Sequence, residues 1–362
     1  MSAGGSAQRS GQRGSGAANA FAASLGVDWA PDVWGRLSQA VSGAQASAQA
    51  SEADLASARL AAVGELAINY LQLREADAEI ALLDITIEGY ERALTITRNR
   101  YAAGIVAQTD VLQAQTLLVN TRAERVGLVR TRAVLEHAIA VGAGAAPAEF
   151  SLVPLASWTP TVPGVPAGVP STLLQRRPDI ATAERNVAAA NARIGIARSA
   201  YFPSFGLSAS LGSSASRVGD LFNASNMLWS LGLSVAQVVF DAGAIGARVD
   251  AAKAAHEAAV ARYRQTVLSA FRSVEDQLSA AASLAQQEGL RREASAAADK
   301  TEQQFLNRYR SAQVGYTDVV TAQASALSAR RAVLQVQLSR QTAAVTLIQA
   351  LGGGWEAEWL NR

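Results

Sequence analysis

The chain has 362 residues, of which 49% are hydrophobic, so it can bury a sizeable core and gross disorder is excluded. Its formal net charge is only +2, and its arginines are scattered, so no basic block indicates binding to nucleic acid. Because cysteine is absent, disulfides, thiolate metal sites, a cysteine nucleophile and a lipidated cysteine are excluded within these residues.

Residues 1–20 are rich in Gly, Ser and Arg and lack an apolar core segment, so they are not expected to act as a secretory signal. No run of about 18 apolar residues occurs, which disfavours a membrane-spanning helix. Strands that cross a membrane leave a weaker trace in a sequence, and that possibility stays open.

The first predicted element is a β-strand over residues 21–29. Its alternate positions are apolar: Phe21, Ala23, Leu25, Val27 and Trp29. The positions between them are small or polar and include Asp28. This period of two predicts a strand with one apolar face.

A very long helix is predicted from about residue 37 to residue 101, where no proline interrupts the chain. Apolar or small residues recur there in steps of three and four, as in a coiled coil: Leu73, Ala76, Ile80, Leu83, Ile87, Tyr90 and Leu94. Such a helix is about 95 Å long. A globule of this size has a radius of gyration of about 20 Å. The helix is therefore expected to project as part of an antiparallel hairpin.

The chain contains an internal duplication with an offset of 208 residues. Residues 99–115 (NRYAAGIVAQTDVLQAQ) match residues 307–323 (NRYRSAQVGYTDVVTAQ) at 9 of 17 positions. Each copy has an alternating stretch, a long helix, the NRY…TDV turn, a second helix and a glycine stop at residue 142 or residues 352–354. The second long helix is predicted at about residues 243–310.

Between the copies, residues 147–170 are rich in Pro, Gly and Val and predict an extended linker. A helix is predicted to begin at residues 177–179, with Pro178 in its first turn and Asp179 near the positive end of the helix dipole, and to end before residue 202. Two alternating stretches follow, at residues 205–212 and 229–236, and predict a hairpin.

Taken alone, these strands favour a soluble sheet that is covered on one side. Nothing else in the chain offers a bulky apolar layer for that purpose, so lipid is the expected partner of the apolar face. Three predicted strands cannot close a barrel, and lipid tolerates no open sheet edge. Several chains are therefore expected to share one barrel.

Four kinds of segment carry a family resemblance: residues 29–36 (WAPDVWGR), residues 173–180 (LLQRRPDI), residues 194–203 (IGIARSAYFP) and both NRY…TDV turns. With these segments the sequence resembles the outer-membrane efflux protein family of TolC-like channels, and specifically the NodT-type factors of tripartite RND efflux systems. The resemblance implies a homotrimer with one outer-membrane β-barrel of twelve strands and a periplasmic tunnel of twelve helical rods. It also implies a periplasmic adaptor (membrane fusion) protein and an inner-membrane RND pump as partners at the closed end of the tunnel.

The expected fold class is mostly α with a small β part: long antiparallel helical hairpins and the strands of a shared transmembrane β-barrel, in two tandem repeats. The expected division is a partial β segment (1–35), a helical hairpin (36–146), a linker (147–172), a helix (173–200), a β-hairpin (201–240) and a second helical hairpin with the C-terminus (241–362). Family members normally begin with a signal peptide, often a lipidated cysteine, and a helix and strand equivalent to residues 177–211. The chain is therefore interpreted as N-terminally truncated, with three strands and residue 1 near the first hairpin loop.

The implied function is passive export of small molecules, such as drugs and toxic compounds, from the periplasm across the outer membrane, with no catalysis, cofactor or metal. The outer channel of a type I protein secretion system is the alternative within the fold, and the NodT-like segments disfavour it. A cytosolic coiled-coil scaffold would fit the long helices and the lack of a signal, and the lipid-patterned strands disfavour it.

The resemblance places the closed end of the tunnel, the gate, at the two turns. The candidate gate residues are Arg100, Tyr101, Thr109, Asp110, Arg308, Tyr309, Thr317 and Asp318. In a trimer the two aspartates would form acidic rings. Alternatively, the Thr-Asp pairs cap the returning helices and the arginines are solvated.

Asp28 is expected to face the barrel lumen, with a modest role in ion preference. Arg176 and Arg177 are expected to order the linker junction by pairing with local carboxylates. His137 and His256 have no paired ligand spacing, so neither is assigned to a metal site.

Overall fold

A computed structural model describes residues 1–11, 17–155, 158–164 and 176–355. Two compact units make up the fold: Met1–Ser51 with Thr182–Arg264, and Glu52–Ala181 with Gln265–Arg362. Along the described residues, no helix has a stretch that is long and apolar enough to cross a membrane. The elements are β1 (Ser2–Ser10), β2 (Ala18–Trp29), α1 (Arg36–Ala102), α2 (Gln108–Gly142), α3 (Pro178–Ser199), β3 (Ser204–Ala215), β4 (Met227–Ala236), α4 (Ala244–Arg310) and α5 (Tyr316–Ala350).

The helices repeat the duplication of the sequence. Helices α1 and α4 each have 67 residues, and α2 and α5 each have 35. Both ends of α4 and α5 lie 208 residues after the corresponding ends of α1 and α2. The predicted fold class, mostly helical with a small sheet, is confirmed.

The sheet has four antiparallel strands in the order β1-β2-β3-β4, so the prediction of three strands was wrong. The missed strand is β1, which pairs with β2 from Ser2 opposite Gly26 to Ser10 opposite Ala18. Its sequence, SAGGSAQRS, has no large apolar residue, so no hydrophobic alternation marks it. The first hairpin connection is therefore residues 11–17, and not the region of residue 1; residues 12–16 lie outside the described residues.

The strand register gives the sheet two different faces. One face carries cross-strand rows of large apolar residues, such as Leu25, Leu211 and Trp229. The other carries rows of small or polar residues, such as Asp28, Ser208 and Gly232. The predicted alternation is confirmed in β2, β3 and β4.

The second unit has a core formed by both helical hairpins. Its buried members come from α1, α2, α4 and α5: Tyr90, Leu94, Ala114, Leu118, Tyr309, Tyr316 and Val319. Small residues allow close helix contacts elsewhere in this unit. At Gly64 of α1, a Cβ atom would lie only 1.7 Å from Nε2 of Gln349 in α5.

The linker is fixed to the first hairpin by a buried ion-pair network. Asp77 of α1 lies 2.8 Å from Arg74 and 2.6 Å from Arg132 of α2, and only 1% of its side chain is exposed. The two arginines also donate hydrogen bonds to the backbone carbonyls of Val153, at 2.9 Å, and Leu152, at 2.6 Å. Because a buried carboxylate needs paired donors, these contacts position the first part of the linker.

The remaining linker follows no regular element where it is described, after a 3-10 turn at Pro147–Glu149. Thr161 accepts a hydrogen bond of 3.1 Å from Gln341 of α5 through its carbonyl oxygen. Residues 165–175, which include the end of the predicted linker and the first residues of the predicted 173–200 helix, lie outside the described residues. Helix α3 begins at Pro178.

Gly104 and Ala312 lie at equivalent turn positions and both have positive φ, 71° and 57°. A residue with a Cβ atom in this conformation is strained by about 1 kcal/mol. No atom lies within 4 Å of a Cβ built at Gly104, so only backbone strain would act there. We expect Gly104→Ala to lower the free energy of unfolding by about 1 kcal/mol, and Ala312→Gly to raise it slightly. Chemical denaturation followed by circular dichroism measures both.

Gly127→Ala is the matched control, because Gly127 also has open space around its Cβ position but lies within α2. Alanine stabilises a helix interior by about 1 kcal/mol relative to glycine, so this change should have the opposite sign to Gly104→Ala. Effects of the same sign at the two glycines would refute the assignment of strain to the turn.

Candidate functional site: the turns of the helical hairpins

Two of the predicted gate residues lie in direct contact. The guanidinium carbon of Arg100, at the end of α1, is 4.4 Å from the ring centroid of Tyr309, at the end of α4. Nη1 of Arg100 also donates a hydrogen bond to the backbone carbonyl of Tyr309. The contact combines a cation–π interaction with a charge-assisted hydrogen bond. It joins the two copies of the duplication beside their turns.

Tyr309 is held by further buried contacts. Its side chain is 3% exposed, and its hydroxyl donates a hydrogen bond of 3.3 Å to Thr97. Its ring lies 5.3 Å from that of Tyr316, at an interplanar angle of 61°, which is a favourable edge-to-face arrangement. Burial raises the pKa of Tyr316 above the ordinary value, with a further contribution from Tyr309, so its phenol stays neutral.

Sequence reasoning missed Thr97 and Tyr316. Thr97 is an ordinary position of a helical pattern, and nothing in the sequence distinguishes it. Tyr316 does have a signal: it stands where the first copy has Gln108, so the two copies differ there by one large aromatic residue. Tyr316 is buried, whereas Gln108 is exposed, so the second copy alone adds a large side chain to the core at this position.

The structure does not bring the other predicted gate residues into this cluster. Asp110 is half-buried, and the remaining members are exposed: Tyr101, Thr109, Arg308, Thr317 and Asp318. The Thr317 hydroxyl reaches Gln113 of α2, at 3.4 Å. Within a single chain, the candidate set therefore divides into a packed pair, Arg100 and Tyr309, the half-buried Asp110, and five exposed residues.

Asp110 and Asp318 do not cap their helices. The N-cap residues are Ala107 and Gly315, and in the described part of the chain neither helix start has a side-chain cap hydrogen bond. The alternative prediction that the Thr-Asp pairs are caps was therefore wrong. Both aspartates lie in the first helical turn, where the helix dipole favours a negative charge.

Arg331 of α5 connects the two hairpins farther from the turns. It lies 2.9 Å from Glu79 of α1 and 2.5 Å from Glu124 of α2. Glu75 lies one turn from Glu79 on α1. Burial raises the pKa of Glu75 to about 7, with a smaller contribution from the negative charge of Glu79.

A second buried carboxylate joins α4 to α5. Glu288 accepts hydrogen bonds from Arg292, Gln337 and Arg340. Burial alone would raise its pKa, but these donors outweigh that effect and lower the pKa of Glu288 to about 2. The carboxylate is therefore charged at neutral pH, and it holds the two helices of the second hairpin together.

Asp28 is exposed on the small-residue face of the sheet, opposite Ser208 of β3. Arg177 pairs with the carboxylate of Asp179, at 2.6 Å, which confirms the predicted pairing of Arg177 with a local carboxylate. It also donates a hydrogen bond of 2.8 Å to the carbonyl of Ala350. In the residues that the structure describes, no group of three or more His, Asp or Glu side chains could hold a metal ion.

Residues 1–142 and 169–353 match the model of the family described as "Outer membrane efflux protein". The chain belongs to this family. A probable efflux pump outer membrane protein, TtgC of Pseudomonas putida, is 33% identical over 343 residues, which are 94% of this chain and 71% of that protein. The outer membrane protein OprJ of Pseudomonas aeruginosa is 31% identical over 90% of this chain and 68% of its own length.

Solved structures of channels have the same fold. The outer-membrane channel OprN is 30% identical, with a TM-score of 0.90 over 98% of this chain and 81% of its own. The open state of the MtrE outer membrane channel of Neisseria gonorrhoeae is 27% identical, with a TM-score of 0.85 over 98% of this chain and 81% of its own.

The raised pKa of Glu75 predicts a pH-dependent contribution to stability. In the folded chain the Glu75 carboxyl keeps its proton up to about pH 7, whereas in an unfolded chain, with the ordinary pKa of 4.5, it loses the proton at lower pH. The contribution of protonated Glu75 to the free energy of unfolding is therefore complete below pH 4.5 and is lost as the pH rises to about 7. We expect Glu75→Gln to unfold like the parent near pH 4 and at a higher denaturant concentration at pH 8.

Glu65→Gln is the control, because Glu65 is an exposed glutamate on the same helix. It should follow the parent at both pH values. A stabilisation by Glu75→Gln that is equally large at both pH values would contradict the proposed cause, since it would not depend on the titration of this carboxyl.

Proposed function

We propose that this chain is the outer-membrane channel subunit of a tripartite efflux pump and conducts small molecules passively out of the periplasm. The observation that carries the proposal is the two-faced sheet. Its apolar face is open in a single chain: Trp229 is 80% exposed, Leu231 67% and Leu233 73%. Soluble monomers rarely expose such a continuous apolar surface, whereas a membrane strand needs it on its lipid side.

The sheet edges support assembly from several copies. Within the described residues, no strand pairs with the outer edge of β1 or of β4. Lipid cannot satisfy the backbone N–H and C=O groups along an open edge, so each edge must pair with another chain. Three chains with four strands each give a closed barrel of twelve strands, and the membership in the efflux family favours this trimer.

The opposite face of the sheet fits the wall of a water-filled pore. It carries Asp28, Ser208, Ser210 and Ser230 on neighbouring strands. These side chains are small and polar, so they leave room for solutes and water.

In this arrangement the helical hairpins lie in the periplasm, where an adaptor and an inner-membrane pump supply the energy. Relatives named as toluene and antibiotic efflux proteins favour small organic molecules as cargo.

The turns of the hairpins are the proposed gate. The contact between Arg100 and Tyr309 fixes the two hairpins of one chain to each other. The exposed residues Arg308 and Asp318 are then available for contacts between chains, and in a trimer the aspartates form an acidic ring.

Conductance in planar lipid bilayers tests the channel function directly. Purified protein should form discrete, long-lived open events, because the pore is built into the assembly and needs no energy source. Preparations that insert into the bilayer and yet never conduct would contradict the proposal.

Asp318→Ala and Arg308→Ala test the gate in the same assay. Exposed ion pairs contribute about 0.5 kcal/mol each, so loss of three in a symmetric trimer should raise the open fraction about tenfold. The matched controls are Glu293→Ala and Arg291→Ala, which change exposed charges in the body of α4 and should leave the open fraction unchanged. Unchanged gating in both turn variants would show that these residues do not hold the tunnel shut.

A further inference from the structure

A cavity of about 390 Å³ lies between the apolar face of the sheet and the connection from β3 to β4. The sheet contributes Leu25 and Leu211, and the connection contributes Leu221 and Phe222. Met227, at the start of β4, completes the apolar lining. The volume lies in the range of small-molecule sites, about 300–1,000 Å³.

Hydrogen bonds within the connection from β3 to β4, and between it and β3, hold this wall of the cavity in place. Ser213 of β3 donates a hydrogen bond from its hydroxyl to the carbonyl of Leu221. The side-chain amide of Asn226 donates a hydrogen bond of 2.9 Å to the carbonyl of Asp220, and that of Asn223 donates one of 3.2 Å to the Asp220 carboxylate. These contacts hold Leu221 and Phe222 over the sheet, although 86% of Phe222 is exposed.

The residues that line the cavity favour a hydrocarbon ligand. Five of the side chains that line the cavity are large and apolar, and the Ser213 hydroxyl already donates a hydrogen bond to the carbonyl of Leu221. A polar ligand would lose its hydrogen bonds to water there without replacement, whereas a hydrocarbon would lose none. The cavity is also continuous with the apolar face that the proposed function assigns to lipid.

Two arginines lie toward this end of the sheet, although neither lines the cavity itself. Arg217 precedes the first 3-10 turn of the connection, and Arg9 lies near the end of β1, opposite Asn19. Both side chains are exposed, and neither is part of an ion pair within the described residues. The hydrogen bond that the nearby acid, Asp220, accepts from Asn223 comes from a neutral amide and does not offset its charge. Two arginines still outnumber this one acid, so the loop end of the sheet favours an anionic group.

The position of the cavity along the strands determines which leaflet of the membrane it faces. Helices α1, α3 and α4 all adjoin the opposite end of the sheet, through Trp29, Ser204 and Ala236. If the helices lie in the periplasm, as the proposed function requires, the end with the cavity lies in the outer leaflet.

We propose that this cavity holds an acyl chain of a phosphate-bearing lipid of the outer leaflet, and that Arg217 and Arg9 bind its anionic headgroup. The inference rests on the proposed outer-membrane function. It adds a specific lipid site that orders the connection from β3 to β4 at the mouth of the pore.

Native mass spectrometry of the detergent-purified, delipidated assembly tests the site. The probes are phosphatidylglycerol and phosphatidylcholine with identical acyl chains, which differ in headgroup charge. The parent should retain phosphatidylglycerol preferentially. Phe222→Ala should lower retention of both lipids about tenfold, and Arg217→Gln combined with Arg9→Gln should lower phosphatidylglycerol retention to the phosphatidylcholine level.

Two control variants lie at the opposite end of the sheet. Phe240→Ala removes an aromatic side chain that is 87% exposed, close to the value for Phe222, and Arg198→Gln removes an exposed charge. Both should retain lipid like the parent. Equal losses in control and cavity variants, or no loss in the cavity variants, would overturn the proposal.

Phe222→Ala could instead change the number of chains per particle and leave lipid retention intact. That result would assign the cavity to a contact between copies and would also overturn the lipid site.

Conductance of the same preparations separates this inference from the proposed function. Channels that conduct without preferential lipid retention would contradict the lipid site alone, whereas preparations that never conduct would contradict the channel function.

Discussion

Backbone hydrogen bonding at the sheet edges is the constraint on which the proposed architecture depends. The four strands satisfy their inner edges, and the apolar rows, such as Trp29, Leu207 and Leu233, make one face suited to lipid. In a hydrocarbon environment, an unpaired N–H or C=O group costs several kcal/mol, so such a sheet is stable only in a closed ring. In the proposed function, this need for closure requires an oligomer, and the small-residue face then lines the inside of the ring.

The internal duplication gives the chain its two helical hairpins, and small sequence differences between the copies make the hairpins different. Arg132 and Arg340 are equivalent residues, and each binds a buried carboxylate of the preceding long helix. The carboxylates, Asp77 and Glu288, are not equivalent, because Glu288 corresponds to position 80. Asp77 also helps to position the linker, whereas Glu288 bonds only to α4 and α5 among the described residues. The two hairpins therefore have the same helix arrangement, but different ion pairs and hydrogen bonds stabilise them.

Periodicity predicted the long helices and the two sheet faces, because each depends on a local repeat of apolar residues. Strand β1 could not be predicted this way, since its residues are small and its place depends on backbone pairing with β2. The contact of Arg100 with Tyr309 depends on two segments that lie 209 residues apart, and the duplication indicated their similarity without indicating their contact. The network around Asp77 was missed for the same reason: charged residues in a helical pattern look solvated until the linker covers them.

Disulfide cross-linking between the sheet edges tests the central claim most directly, because the chain has no cysteine of its own. Cysteine is placed on β1 at Ser6 and on β4 at Ser230, Gly232 or Ser234, all on the small-residue face. In a closed ring, β4 of one chain lies beside β1 of the next, so at least one pair should give covalent trimers, and each single variant should stay monomeric under denaturing conditions. Cross-linking within single chains only, or dimers from the single variants, would contradict a shared barrel.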